Sequence, residues 1–594
     1  MADGSLSIDG MSRIKPSTLE TGEATTGSRD ARVEESHPAS PPGVAKGSSN
    51  WVILGLVLLT VLLYGQGLTR SRGYYGDSFH HLINGIFVHD AMHEPVLALS
   101  DPVGFALDYY MHYPAVNLGY YPPVFPIIMA FLMMVFGVSA TTGQLAVLFM
   151  SIMMTVFAFA WFRLRFELPW AATATVLFIS TPLLVYWGRD IMLEIPMMAM
   201  VMGAIWAFER LMRAERPTWP SAMTWTLFSV LAIWTKQHAL LLLAIYAPTV
   251  VLTRRWRHFF HPSMILASIM ICVAAVGLIR FQLRLGGDAV EHSVGTTTQQ
   301  VAQRFNTDQW TYYLRNISEI VSWPALVLSP FGVYFALQKR ERYLSMILVW
   351  PIMFYLMHSY FSVRNPRYGV LWVLPFCALA VIGLKHFAQW VPVFRERLWI
   401  PMVTACCISF YLATQVTVPE VPSAYQRAAE DLADRMGPYS CISYFPDRPG
   451  RAAVCYRLAV EERRNPERDI YSFGRILRAK QLHSASNGRW RESEEAAADF
   501  RQWNVKYILT EHPHVLERWN RDWRVTQMMY KILELGEFRA IRTYPVHYST
   551  SLVSNRMVTL YERIAPLPLN ENAAPVIRTK RIPTLISAEG SKAE

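Results

Sequence analysis

From Trp51 onward the apolar positions come in long unbroken runs, near 51–69, 122–139, 142–162, 169–187, 192–212, 219–234, 238–252, 262–281, 319–337, 343–359, 368–385 and 397–416. Runs of roughly 17–25 apolar residues are what a helix needs to cross a bilayer. The pattern therefore predicts an α-helical polytopic membrane protein. The first fifty residues contrast with this: Ser, Gly, Pro, Glu and Thr dominate without an apolar period, which reads as a disordered cytoplasmic tail over 1–50. No small-residue cleavage site follows Trp51–Leu63, so that run reads as an uncleaved signal anchor.

The basic residues between the runs decide how many of them cross. If all twelve span and the tail is cytoplasmic, "RLRFE" (163–167), "ERLMRAERP" (209–217) and "RRWRH" (254–258) fall outside, against the positive-inside rule. The second run, "PPVFPIIMAFLMMVFGV", opens on Pro122 and Pro123 and has a third proline at Pro126. Read as a re-entrant or juxtamembrane segment, it leaves about eleven spans. Those three loops, with "QKRER" (338–342) and "KHFAQWVPVFRER" (385–397), then face the cytoplasm. The polar stretches Arg72–Tyr121, "GRDIMLE", "TKQH", Phe281–Ser318 and "SVRNPRYG" then share the outer face.

Past residue 420 the period changes. "AYQRAAEDLADRM" and "ESEEAAADFRQW" carry helical signals, and "CISYF", "VKYILT" and "MVTLYERI" are short strand-like runs. A small extracytoplasmic α/β domain over 421–565 is expected, followed by a loose tail over 566–594. Composition agrees with the membrane class: 52% hydrophobic and only 17% charged, against about a quarter charged in soluble proteins. The net charge of +11 is scattered between apolar runs, so nucleic acid is not an expected partner. Cys272, Cys377, Cys406 and Cys407 fall in apolar runs as packing residues. "CISYFPDRPGRAAVC" reads as two strands joined by a Pro/Gly turn, and a Cys441–Cys455 disulfide suits an outer compartment.

The outer-face residues carry the candidate chemistry. Asp77 stands at the outer end after the first span, either as a solvated interface residue or as a functional acid. Arg189, Asp190 and Glu194 form a second charged group, with Glu194 on the first turn of a helix, where the dipole favours an acid. Boundary ionisables are functional candidates; two acids facing one cavity can hold a base and orient a hydroxyl, or share a metal. Lys236, Arg364 and Arg367, with the phenol of Tyr368, suit a phosphate or lipid head groups. His80 and His81 are adjacent and cannot face one ligand site together, whereas His89 and His93 have the i, i+4 spacing of helical metal ligands. No HExxH occurs, and 79–93 reads more plainly as a surface-lying amphipathic helix with Leu82, Ile83, Ile86 and Phe87 inward.

In this order, "YYGDSFHHLINGIFVHDAM", "GYYPPVFP", "GRDIMLEIP", "WTKQHALLLL" and "RNPRYGVLWVLPF" resemble the C-type membrane glycosyltransferases (GT-C) that use polyprenyl-phosphate sugars. That group contains protein mannosyltransferases, the aminoarabinose transferase of lipid A and lipopolysaccharide-core sugar transferases. The resemblance covers roughly 51–420, with the first outer loop at 70–121. It implies Asp77 and Glu194 as catalytic acids and Lys236, Arg364, Arg367, Arg189 and Tyr368 around the donor phosphate. Tyr74, Tyr75, His80, His81, Tyr120 and Tyr121 would line the sugar or acceptor; the tyrosines also suit an interfacial belt. The chain departs from the family pattern in having Glu where the second acid is usually Asp, and Ser78 after Asp77 where an acidic pair is frequent.

The implied activity is inverting transfer of a sugar to an envelope glycan, lipid or protein at the outer face of the plasma membrane. No cofactor is implied, a divalent metal being left open. Rival readings are a lipid-linked-sugar transporter or flippase, a non-catalytic assembly protein, and a glycan polymerase or ligase with a polyprenyl-diphosphate donor. A transporter predicts internal repeats and mid-membrane charges; the charges here gather at one face.

Overall fold

The structure, a computed structural model, describes residues 46–70, 77–113, 116, 119–285, 306–339, 344–361, 364–417, 423–437, 439–444, 455, 457–458, 470–472, 493–512, 523–546 and 556–567. All twelve apolar runs are helical in whole or large part. Among the described residues, four helices are long and apolar enough to cross a membrane: Ala140–Arg163, Glu194–Arg213, Pro262–Arg284 and Pro366–Trp390. A fifth crossing is available if Leu168–Ile179 and Pro182–Gly188, bent by 61°, act as one. The expectation of about eleven spans is thus not met by helix length alone, because many of the remaining apolar helices are only 10–17 residues long. The proline-led run becomes Val124–Phe136, 13 residues or about 20 Å, against a hydrocarbon core of roughly 30 Å.

The Glu194–Arg213 helix lies at the centre and is buried along nearly its whole length. It packs against Ala140–Arg163 and Trp219–Ile233. Because it is enclosed, the carboxylate at its first residue is enclosed too. The Ser78–His93 helix packs on Val124–Phe136; Leu82, Ile83 and Ile86 are fully buried and Phe87 half-buried, but Ser78, His81 and Asn84 are buried as well, so its first half is enclosed rather than lying on a surface as expected. Gly85 permits that approach, since a Cβ there would lie 2.5 Å from Met129 Sδ. Trp323–Lys339 and Val373–Trp390 cross as closely: a Cβ on Gly332 would strike the Leu379 carbonyl, and one on Gly383 the Leu328 carbonyl.

The C-terminal region builds a five-stranded sheet from β1 (Ser440–Tyr444), β2 (Ile470–Ser472), β3 (Val505–His512), β4 (Phe538–Val546) and β5 (Arg556–Arg563), in the order β2-β1-β3-β5-β4. β1 runs parallel to β2 and β3, whereas β5 is antiparallel to β3 and β4. Helices Ser423–Met436, Ser493–Gln502 and Trp523–Glu534 accompany it. The expected hairpin around Cys455 does not form: both edges of β1 are taken by parallel partners, and Cys455 is helical. Cys441 is a buried free thiol, so the expected bridge to Cys455 is not made in this structure.

Candidate active site

Four separated segments bring the charged candidates together. Asp77 is the N-cap residue of Ser78–His93, and its carbonyl accepts from the His80 and His81 amides. Leu82 of that helix and Ile191 both close on Gly143, where a Cβ would lie 3.0 and 2.9 Å from their side chains. This fixes the Asp77 helix beside the turn that leads into Glu194. Lys236 sits in extended backbone between Trp219–Ile233 and the Gln237–Leu240 turn. Arg367 stands on the Pro366–Trp372 turn, whose start is capped by the Asn365 side chain accepting from the Arg367 amide.

The four charges pair crosswise. Arg367 Nη1 donates to Asp77 Oδ2 at 2.9 Å, and Lys236 Nζ donates to Glu194 Oε1 at 2.5 Å. Arg367 Nε lies 3.8 Å from the same Glu194 oxygen and joins the two pairs. Glu194 and Lys236 are almost wholly enclosed, whereas the Asp77 and Arg367 side chains are 32% and 21% exposed. The site therefore has a dry floor and an accessible mouth. Tyr368 forms one wall: its hydroxyl accepts from Arg367 Nη2 at 3.3 Å, and its ring lies 5.8 Å from Lys236 Nζ and stacks on His238 at 4.4 Å. On the other side His81 meets the Tyr121 ring edge-on at 4.4 Å, and Tyr120 packs on Tyr121 at 4.7 Å.

Burial pushes the Asp77 carboxyl up, but Arg367 and His81, aided by a hydrogen bond from Arg367 and by His80, outweigh it and hold the group at about 2. Burial drives the His81 imidazole down to about 3 against the pull of Asp77 and Glu194. Asp77 is thus ionised and His81 neutral at pH 7. Among the described residues, Glu194 Oε2 and His81 Nδ1 have no hydrogen-bond partner.

Asp77, His81, Tyr121, Glu194, Lys236, Arg367 and Tyr368 converge, with Tyr120 and His80 beside them; Arg189 and Arg364 turn away. Arg189 donates from Nε to the Leu63 carbonyl at 2.8 Å and from Nη1 to that of Val416 at 2.6 Å, which occupies its guanidinium with backbone. Arg364 donates to the Asp308 carbonyl at 3.3 Å and stands 5.6 Å from the Tyr312 ring. His80 packs on Phe79 at 4.1 Å, and Tyr74 and Tyr75 lie outside the described residues. His89 and His93 stack at 5.8 Å, with His89 Nδ1 on Asp90 at 2.9 Å. Among the described residues no group of three or more His, Cys, Asp or Glu is arranged to hold a metal ion. Sequence reasoning did not single out His238, although "TKQH" places it two residues after Lys236.

Residues 121–279 match the family described as Dolichyl-phosphate-mannose-protein mannosyltransferase. That stretch includes Tyr121, Glu194 and Lys236. The fold is similar to ArnT from Cupriavidus metallidurans bound to undecaprenyl phosphate and in the apo state: TM-score 0.56, 12% identity, 86% of this chain and 98% of that one in each case. A weaker likeness, TM-score 0.46 at 10% identity over 85% of this chain and 74% of the other, is to the oligosaccharyltransferase AglB from Archaeoglobus fulgidus. No curated protein matches the chain in sequence. The resemblance to the C-type membrane glycosyltransferases therefore stands, on the fold shared with ArnT and on the mannosyltransferase-family match over residues 121–279.

Proposed function

We propose that the chain is an integral-membrane inverting glycosyltransferase that moves a sugar from a polyprenyl-phosphate carrier to an envelope glycan, lipid or protein. The observation that carries this reading is the crosswise set Asp77–Arg367 and Glu194–Lys236, two acids and two cations joined through Arg367. A phosphodiester arriving at the mouth competes with the carboxylates for Arg367 and Lys236. As Arg367 turns to the phosphate, the Asp77 carboxylate is released from its ion pair and regains basicity. The acceptor hydroxyl then gives its proton to Asp77, and its oxygen attacks the anomeric carbon. The bond from that carbon to the phosphate oxygen breaks, and Lys236 and Arg367 meet the leaving charge. Glu194 holds Lys236 in place, and its second oxygen, with His81 Nδ1, meets sugar hydroxyls. This chemistry calls for no nucleotide and no cofactor.

The basic loops support a plasma-membrane topology with the site outside. So does the short Val124–Phe136 helix, which leaves about eleven other apolar segments to cross. In that arrangement the C-terminal α/β region, proposed as a domain over 421–565, is also outside.

The test is Asp77→Asn in the native cells, with envelope lipids, glycans and proteins compared by mass spectrometry against wild type and a deletion strain. The expected result is a normally inserted protein and loss of the same sugar as in the deletion. If the variant keeps that sugar while the deletion loses it, Asp77 is an interface residue and the transporter and assembly readings move ahead of this one.

A further inference from the structure

Asp90 belongs to the same helix as the proposed base, thirteen residues beyond Asp77, or about 20 Å along the axis. The first turns of that helix, from Ser78 to Ile86, are almost wholly buried, but Phe87 to Met92 are only half-buried. What holds this outer half is specific. Phe87 packs on Phe105 at 5.6 Å and on Tyr109 at 5.0 Å, both from the Pro102–His112 helix. Asp90 accepts from Tyr109 Oη at 3.0 Å and meets His89 Nδ1 at 2.9 Å. Both of its oxygens also accept from Arg457 Nη2, at 3.1 and 2.9 Å. Arg457 comes from the C-terminal region, between β1 and β2 in sequence, and Pro102–His112 packs against β2 as well. The pair is largely enclosed, with side chains 11% and 20% exposed, so it is not a solvated surface contact of small effect.

We propose that the C-terminal α/β region acts on catalysis through Arg457, which by gripping Asp90 fixes the position of the Ser78–His93 helix and hence of the Asp77 carboxylate. Arg457 is a positioning residue in this account, and the account rests on the function proposed above. A helix is a stiff rod, and the Leu82 contact at Gly143 holds this one about 7.5 Å from Asp77; without the grip at Asp90 it can pivot there, and a tilt of about 8° then moves Asp77 by about 1 Å. A misplacement of that size costs up to about a hundredfold in rate, and it breaks the 2.9 Å contact between Asp77 and Arg367. Lys236 and Glu194 stand on other segments, so carrier binding does not depend on the grip.

The experiment places Arg457→Gln, Arg457→Lys, Asp90→Asn and Asp77→Asn in the native cells. It measures incorporation of the sugar whose loss marks Asp77→Asn, together with the amount of inserted protein. Retention of undecaprenyl phosphate by each purified full-length protein is read by native mass spectrometry. Arg457→Gln and Asp90→Asn are expected to lower incorporation about 10- to 100-fold, with carrier retention and protein amount as in wild type. Arg457→Lys, which keeps the charge, is expected to recover at least about a third of the wild-type rate. The proposal is overturned if Arg457→Gln transfers at the wild-type rate or Lys restores nothing. It is also overturned if carrier retention and protein amount fall together with transfer, because that is a general loss of structure. An Asp77→Asn strain that keeps every sugar overturns the glycosyltransferase reading itself, and this inference with it.

Discussion

The Glu194–Lys236 pair allows a quantitative test of how dry the floor of the site is. At 2.5 Å and an effective dielectric of about 20, the attraction is about 6–7 kcal/mol. Desolvating each ion costs several kcal/mol, so the pair as a whole is near break-even. Removing one partner is different. Glu194→Gln strands the Lys236 ammonium, and Lys236→Met strands the Glu194 carboxylate, whose Oε2 already has no hydrogen-bond partner among the described residues. Each single change is expected to cost about 3–5 kcal/mol. The double variant removes both charges and is expected to cost only about 1–2 kcal/mol, a coupling of at least about 4 kcal/mol. The assay is equilibrium unfolding in mixed detergent micelles for wild type, both single variants and the double. A coupling below about 0.5 kcal/mol would refute the reasoning, because it requires water to reach both groups. Sugar transfer separates stability from chemistry in the same set: the double variant regains folding and stays inactive, since no ammonium meets the leaving phosphate.

Arg367→Gln takes from the partly exposed Asp77 the cation that holds its carboxyl at about 2, so the carboxyl is expected to titrate higher. The acid limb of residual sugar transfer then moves to higher pH, and a limb that stays in place refutes the control by Arg367. The sign for stability follows from the same shift. In wild type the folded value lies below the unfolded one, so the contribution of Asp77 is complete above the unfolded range and is lost as pH falls toward about 2. In Arg367→Gln that contribution shrinks as the folded value rises toward the unfolded one; melting followed across about pH 3–7 reads the smaller pH dependence. Gly332→Ala drives a methyl into the Leu379 carbonyl where two helices cross. It is expected to cost about 1–3 kcal/mol, seen as less inserted protein and a lower melting temperature, and unchanged melting would mean that the crossing yields freely.

The helices were legible because a segment facing lipid or core on all sides declares itself by hydropathy alone, and all twelve long apolar runs are helical in whole or large part. β1, β3 and β5 were legible as short apolar runs. β4 was not: "FRAIRTYPV" is an edge strand whose exposed positions do not alternate, with two arginines and a proline, so no apolar period marks it. The site followed the same division. Asp77, Glu194, Lys236, Arg367 and Tyr368 could be picked out because a boundary charge needs a reason. Which acid meets which cation could not be read, because that is set by helices far apart in sequence. Arg189 shows the limit. Its place beside Glu194 was readable, but its guanidinium turns to the carbonyls of Leu63 and Val416, groups every residue has and no sequence motif announces.

That same Arg189 contact orders events during synthesis. Leu63 lies in the first helix of the bundle, Lys46–Tyr64, and Val416 just past its last, Trp399–Thr414. One guanidinium therefore closes the bundle into a ring from within, at the turn that presents Glu194. A ribosome has delivered most of the chain before that turn receives its final anchor. Until the last helix is inserted, the nascent protein holds Asp77, Glu194, Lys236 and Arg367 but lacks the Val416 end of that contact. The turn that presents Glu194 thus has both of its backbone anchors only in the complete bundle.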